Sequence, residues 1–210
     1  MTEEIIFADE SLQDQVNHLR MEEYARASGF ELDLTTLRWK SSDTESYVLV
    51  AMKGDAVIAT MRGEIIDDLE LLEKKLECPW DFPLTLNFPI LLLSRAATSS
   101  THRSEGLNMV LRYWFLKLAQ FHSIPFVLGT FVSGSPRENS LKEMGYAFYE
   151  NTRGWQQSSY KSHRTVQVVA LDMERQGLKA ISHCLSKVAA SIEKYAYHSA
   201  LPKLKFVRSL

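Results

Sequence analysis

The sequence predicts an α/β domain in which one mixed sheet carries helices on its faces. Three observations lead there. A β-rich run, a turn signal and a second run read as an antiparallel hairpin; a strand–loop–helix–strand unit follows; and a long amphipathic helix closes the chain. A hairpin that feeds a strand–helix–strand unit gives antiparallel and parallel neighbours in the same sheet.

Taken in order, Ser11 reads as a helix N-cap, with Leu12, Val16, Leu19 and then Tyr24 at helical spacing up to about Gly29. Residues 46–52 are rich in β-formers, Lys53-Gly54-Asp55 is a turn signal, and Ala56 to Ile66 completes the hairpin. The acidic stretch 67–77 puts Leu69, Leu72 and Leu76 on one helical side, and Pro79, Pro83 and Pro89 then punctuate an irregular segment. Phe88 to Thr98 contains a continuous apolar run suited to a strand buried on both faces. The helix over about 106–122 shows Leu107, Val110, Leu111, Trp114, Leu118 and Phe121 at helical spacing. Pro125 stops it, and Phe126 to Phe131 is another buried-type strand. Ser135-Pro136-Arg137-Glu138 reads as an N-cap, a first-turn proline and a capping-box glutamate, opening a short helix that ends at Gly145. Tyr146 to Glu150 and residues 164–171 return as strands. A helix over about 177–198 carries Leu178, Ile181, Leu185, Val188, Ile192 and Tyr195 at alternating spacings of three and four. That seam suits packing on its own domain, and a homodimer paired through it is the other reading.

The bulk numbers exclude several classes. Two hundred and ten residues, 45% apolar and 24% charged, fit one ordinary globular domain with an appended element. A net charge of -2 gives no global case for nucleic acid, and Lys203, Lys205 and Arg208 read as a solvated tail. Cys78 and Cys184 are isolated and form no metal-ligand spacing, so they read as reduced, buried thiols, and no metal is expected. The acidic N-terminus lacks the apolar core of a signal peptide, and the apolar runs fall far short of the ~20 residues of a membrane span. A cytoplasmic protein with no membrane span is the expectation.

The chemistry-bearing segment is Thr101-His102-Arg103-Ser104-Glu105-Gly106-Leu107-Asn108, placed between a strand and a long helix. The first N–H groups of a helix lack intrahelical partners, and the helix dipole makes that end partly positive. Such an end suits a pyrophosphate or a phosphopantetheine phosphate, with Gly106 letting the backbone approach and Arg103 and Ser104 adding donors. From Arg-x-x-Gly alone, an ordinary capped helix reads the same way. The order of surrounding elements favours the anion site.

With those residues in view, the chain resembles the GNAT superfamily of N-acyltransferases. The family's donor signature, [Arg/Gln]-x-x-Gly-x-[Gly/Ala], is matched by Arg103 to Asn108, with Asn108 departing at the last place. The segment Leu141 to Tyr146 looks like the family's Gly-aromatic helix end, and the resemblance covers about residues 46–150. It implies a GNAT-like fold over 1–175, with a helix and tail over 176–210 packed on the same domain. It also implies an acyl thioester as co-substrate, either acyl-CoA (acetyl or longer) or the acyl-phosphopantetheine of an acyl carrier protein, and a small-molecule primary amine as acceptor. Ala96, Ala97 and Thr98 on the preceding strand, with Arg103, Ser104, Glu105, Gly106, Leu107 and Asn108, become the donor-binding candidates.

A narrower resemblance rests on Arg20-Met-Glu-Glu-Tyr24, Thr60-Met61-Arg62 and Ser94-Arg95. These look like acyl-homoserine-lactone synthases and long-chain N-acyl amino acid synthases. The resemblance implies that Arg20, Tyr24, Arg62, Ser94 and Arg95 surround donor and acceptor. The glutamate those families place three residues before the strand arginine is Leu92 here, so a homoserine lactone product is not implied.

Acyl transfer needs a neutral amine, a polarised carbonyl and a leaving thiolate, whose parent thiol has a pKa near ~8.5. Backbone N–H groups near Ala96 to Thr98 are the candidate oxyanion donors. The tyrosine many GNAT enzymes carry four residues before the Gly-aromatic glycine is Leu141, so Glu64 and Tyr146 stand as candidate catalytic groups, with Tyr149 and His102 as lesser ones. The missing groups leave a second expectation open: a non-catalytic GNAT-fold protein that binds an acyl donor as a sensor.

Overall fold

The computed structural model describes residues 3–26, 30–32, 37–150, 160–162 and 166–197. In chain order the elements are β1 (Glu3–Phe7), α1 (Gln13–Arg26), β2 (Phe30–Leu32), the single turn α2 (Ser41–Thr44), β3 (Tyr47–Lys53), β4 (Ala56–Ile66) and α3 (Leu69–Leu76). Then follow β5 (Ile90–Thr98), α4 (Leu107–Phe121), β6 (Phe126–Val132), α5 (Glu138–Met144), β7 (Ala147–Glu150), β8 (Tyr160–Ser162), β9 (Val166–Asp172), α6 (Met173–Lys194) and β10 (Ala196–Tyr197).

Eight strands form one sheet in the order β10-β1-β3-β4-β5-β6-β9-β7, and β2 pairs with β8 apart from it. Only β1–β10 and β5–β6 run parallel; the hairpin β3–β4 and the pairs β4–β5, β6–β9 and β7–β9 are antiparallel. The mixed sheet expected from the hairpin and the strand–helix–strand unit is therefore present.

Strand alternation sorts the sheet residues between two faces. On one face Leu49, Ala51, Ala59, Met61, Ile65, Leu91 and Leu93 pack beneath α4 and α6, with Leu107, Leu111 and Phe115. On the other face Val48, Val50 and Ala97 meet Val16 and Leu19 of α1, while Ile66, Leu92 and Leu128 meet Leu72 and Leu76 of α3. These two apolar clusters do not merge. Between them β4 presents Thr60, Arg62 and Glu64, all buried.

Several boundaries differ from the sequence pattern for local reasons. Asp9, not Ser11, caps the first helical turn, because its carboxylate accepts the Ser11 N–H at 2.9 Å. α5 starts only at Glu138: a turn closed by the Glu138 N–H on the Ser135 carbonyl precedes it, and Glu138 reaches back to the Gly134 N–H instead of Ser135. α6 starts directly after β9 at Asp172, whose carboxylate caps it, and stops at Lys194. Its packing face is Gly177, Ala180, Cys184 and Val188, small residues that let it approach α4 closely. Leu178 and Leu185 of the expected seam therefore point outward, 73% and 44% exposed. Phe121, in the last turn of α4, is also exposed rather than buried. Gly29, residues 163–165, His198 and the basic tail lie outside the described residues.

Candidate active site

β5 and β6 pair only from Ile90–Phe126 to Leu93–Gly129. Both strands continue, β5 held by β4 as far as Thr98 and β6 held by β9 as far as Val132. The sheet thus opens at its centre into a wedge. Gly129 sits at the last rung, where a Cβ would lie 3.1 Å from the Leu93 carbonyl oxygen. The Ser99 N–H returns to the Ile58 carbonyl of β4 at 2.8 Å, so alternation turns the N–H groups of Thr98 and Ala96 towards the opened edge.

A bulge lies on the same strand. Between the pairs Thr60–Ala97 and Arg62–Ser94, β4 has one residue, Met61, and β5 has two, Arg95 and Ala96. Arg95 takes the left-handed conformation, φ 51°, as the extra residue of such a bulge can. The consequence is a change of face: Arg95 joins Ser94 and Arg62 rather than the α4 side.

Beyond β5 the chain makes a 3-10 turn over Ser100–Glu105 and enters α4 through Gly106, whose φ of 69° only glycine adopts without strain. No side chain caps the start of α4, so its first N–H groups stay directed at the mouth of the wedge. The loop is anchored on both flanks. Glu23 of α1 accepts the Ser100 N–H at 2.8 Å and the Arg103 guanidinium at 2.7 Å. Glu105 turns away to α6: its carboxylate accepts Tyr195 Oη at 2.6 Å and Lys194 Nζ at 3.0 Å, and its carbonyl accepts Ser191 Oγ at 2.7 Å. The motif thus supplies an open backbone, while its charged side chains hold the loop in place.

Beside the wedge, the polar strip of β4 is closed by residues from four elements. Asp43, on the turn α2, accepts Arg20 Nη1 of α1 at 2.8 Å and Arg95 Nη1 of β5 at 2.6 Å, with Arg62 Nη1 at 3.7 Å. Arg62 also donates through Nε to Ser94 Oγ at 3.0 Å and pairs with Glu64 at 2.6 Å. Lys75 of α3 takes the other Glu64 oxygen at 2.7 Å. Burial alone would raise the Asp43 carboxyl, but Arg20, Arg95 and Arg62 outweigh it and hold it below its ordinary range. Burial lowers the Arg62 guanidinium to about 10 despite Glu64 and Asp43. Arg20 is fully buried, yet among the described residues its Nε and Nη2 have no hydrogen-bond partner, and neither do Thr60 Oγ1 and Glu64 Oε2. Unmade hydrogen bonds at buried charged donors are costly, so these donors have capacity left for further acceptors.

The structure brings Arg20, Arg62, Ser94, Arg95 and Glu64 into one cluster, with Tyr24 half-buried on the same helix as Arg20. It does not bring Tyr146 there. Tyr146 lies on the opposite face of the sheet, in the core with α4 and α6, where its hydroxyl accepts from Arg112 at 3.0 Å and burial raises its pKa. Leu141 is buried, so α5 offers no hydroxyl in its place.

Sequence reasoning missed Asp43, Glu23 and Lys75. Asp43 had an indirect signal: three arginines assigned to one buried site require a carboxylate, and Leu92 removed the expected one. Glu64 is the direct cross-strand partner of Leu92, so the acid stands on the neighbouring strand instead.

No family model matches the chain, and no curated protein matches its sequence. The comparison of structures decides the fold. FeeM, an N-acyl amino acid synthase from uncultured soil microbes, superposes with a TM-score of 0.58 at 10% identity, covering 88% of this chain and 98% of that one. BjaI, a CoA-dependent acyl-homoserine lactone synthase described with SAM and isopentyl-CoA, gives 0.61 at 15% identity, covering 97% and 95%. The chain has the GNAT fold. The ribosomal-protein-S18-alanine N-acetyltransferase from Escherichia coli shares it too, at a TM-score of 0.53 and 12% identity over 81% of this chain and 94% of that one. Within the GNAT fold, the wedge between β5 and β6 and the uncapped start of α4 are the two features that any acyl-donor reading must use.

Proposed function

We propose that this chain is an N-acyltransferase that moves an acyl group from acyl-CoA to the primary amine of an acceptor bearing a carboxylate, such as an amino acid. The observation that carries this reading is the juxtaposition of the opened β5–β6 edge with the buried arginine strip. The two solved synthases with the same fold act, by their descriptions, on acyl-homoserine lactone and N-acyl amino acid products, which supports the acceptor class.

The donor's pantetheine arm lies in the wedge and extends the opened edge of β5, with its phosphates at the start of α4. Its thioester carbonyl then sits by Ala96 to Thr98, where N–H groups of Ala96 and Thr98 polarise it and later hold the oxyanion. The acceptor's carboxylate takes the open donors of Arg20, and Arg62 and Arg95 are fixed in position by Asp43, Glu64 and Ser94. The neutral amine attacks the carbonyl carbon, the C–S bond breaks, and the thiolate leaves with CoA. The amine's surplus proton passes to water or to the thiolate, because Glu64 is hydrogen-bonded to Lys75 through Oε1 and ion-paired with Arg62 through Oε2, although Oε2 makes no hydrogen bond among the described residues. Tyr146 lies behind the sheet and takes no part in this sequence. A covalent acyl-cysteine is not needed either: burial pushes both Cys78 and Cys184 up to about 11, far from a reactive thiolate.

Among the described residues no helix is long and apolar enough to cross a membrane. We read the protein as working in the cytoplasm. The engagement of Glu64 favours a second reading, a sensor that binds the donor without turnover. Calorimetry with acetyl-CoA and a long-chain acyl-CoA tests the donor half: the wild type binds and Gly106→Glu does not. Absence of binding by the wild type would remove the basis of both readings.

A further inference from the structure

We infer that Arg137, on the lip of the wedge opposite the donor loop, is the side chain that grips the phosphates of the donor. This rests on the donor site described above. The signature arginine, Arg103, is already committed: it pairs with buried Glu23 at 2.7 Å, and Glu23 also holds Ser100. Arg26 is likewise held by Glu22 and Glu23. The cations on the α1 side of the mouth are therefore neutralised by carboxylates of α1.

Arg137 differs. It leads into α5 from the end of β6, and its Nη1 donates to Asn108 Oδ1 at 3.3 Å. That contact spans the mouth and places the guanidinium over the first turn of α4, whose N–H groups are open. Asn108 departs from the small residue of the signature, and here its amide serves as the docking point for Arg137. Among the described residues no carboxylate pairs with Arg137, and it stays exposed beside the start of α4. An arginine without a carboxylate partner beside the uncapped start of a helix forms a site for a polyanion. The single neutral contact to Asn108 is easily exchanged for a pyrophosphate oxygen.

The test uses the full-length chain and three proteins: wild type, Arg137→Gln and Arg137→Lys. Affinities for CoA are measured by calorimetry, and kcat/KM is compared for acetyl-CoA and for acetyl-pantetheine, which lacks the phosphates. Arg137→Gln is expected to weaken CoA about tenfold, the size of one charge-assisted hydrogen bond. It should leave kcat/KM for acetyl-pantetheine unchanged, and Arg137→Lys should restore part of the CoA affinity. Equal affinity of wild type and Arg137→Gln for CoA overturns the assignment while leaving the donor site intact. An equal loss with acetyl-pantetheine also overturns it, since the residue would then act only on the shape of the wedge. Failure of the wild type to bind CoA at all overturns the donor reading itself, and this assignment with it.

Discussion

Replacing Asp43 by asparagine should cost the protein about 3 kcal/mol of stability, near the lower end of what breaking a buried ion pair costs. The figure follows from what each partner loses. Arg20 is fully buried, and without the Asp43 charge at 2.8 Å it keeps only the Leu37 carbonyl at 3.5 Å. Arg95 retains the Arg38 carbonyl at 3.2 Å and has a 14% exposed side chain, so water can replace part of its loss. Arg62 keeps Glu64 and Ser94. Asparagine preserves the shape and one acceptor oxygen, which keeps the cost from the upper end of the range. Urea unfolding reads the effect directly: for an m-value of about 2 kcal/mol/M the midpoint should fall by about 1.5 M at unchanged slope. Adding Arg20→Met to Asp43→Asn should recover part of the loss, because the uncompensated buried charge is then gone. A midpoint shift worth less than about 1 kcal/mol, or a double variant no better than the single one, would refute the idea that Asp43 neutralises a buried arginine cluster.

Three further outcomes follow from the same geometry. Because the arginines hold Asp43 below its ordinary pKa of 3.8, its contribution is present above that value and is lost as pH falls through the folded pKa; the acid limb of the melting temperature should be shallower in Asp43→Asn than in wild type. Gly63→Ala, whose new Cβ would press into the Phe115 ring beneath α4, should lose about 1–3 kcal/mol in the same unfolding assay while binding CoA as before. Tyr195→Phe removes one of the three bonds that hold Glu105 to the end of α6, and should lose about 1 kcal/mol of stability and raise the CoA dissociation constant; an unaltered constant would show that this bond does not shape the donor loop.

The fold was legible wherever side-chain period and turn chemistry act locally. The β3–β4 hairpin, the buried strands β5 and β6 and the helix after the donor loop all fall within a few residues of their expected positions. β1 and β10 were not legible, since short edge strands carry little periodicity and β1 pairs with a residue pair nearly two hundred positions away. The α6 seam held in part: Val188 and Tyr195 are buried and Ile181 and Ile192 pack against the core, while Leu178 and Leu185 face outward for a definable reason. Leucines at helical spacing draw the eye, but Gly177, Ala180 and Cys184 permit the closer approach to α4, so the small residues took the interface.

The site divides in the same way. Gly106 and its loop could be found from chain order, because a helix start after a strand is a local feature. The arginines were visible through resemblance, but their shared counter-ion was not: Asp43 comes from a turn far from them in sequence. Glu64 was named as a candidate base, and in the structure it pairs with Arg62 and Lys75 while its Oε2 makes no hydrogen bond among the described residues. Tyr146 was read as the start of a strand, but it lies in the link between α5 and β7, and its ring joins the core on the α4 side.

The most direct test of acyl transfer is a balance of products. Purified protein is incubated with acyl-CoA of short and long chain and a panel of primary amines, with and without a carboxylate, and both free CoA thiol and new amide are measured by mass spectrometry. The account predicts an amide formed in equal amount to released thiol, favouring amines that carry a carboxylate and reduced when Arg20 is replaced by methionine. Acyl-CoA that binds yet releases no thiol with any amine would contradict it.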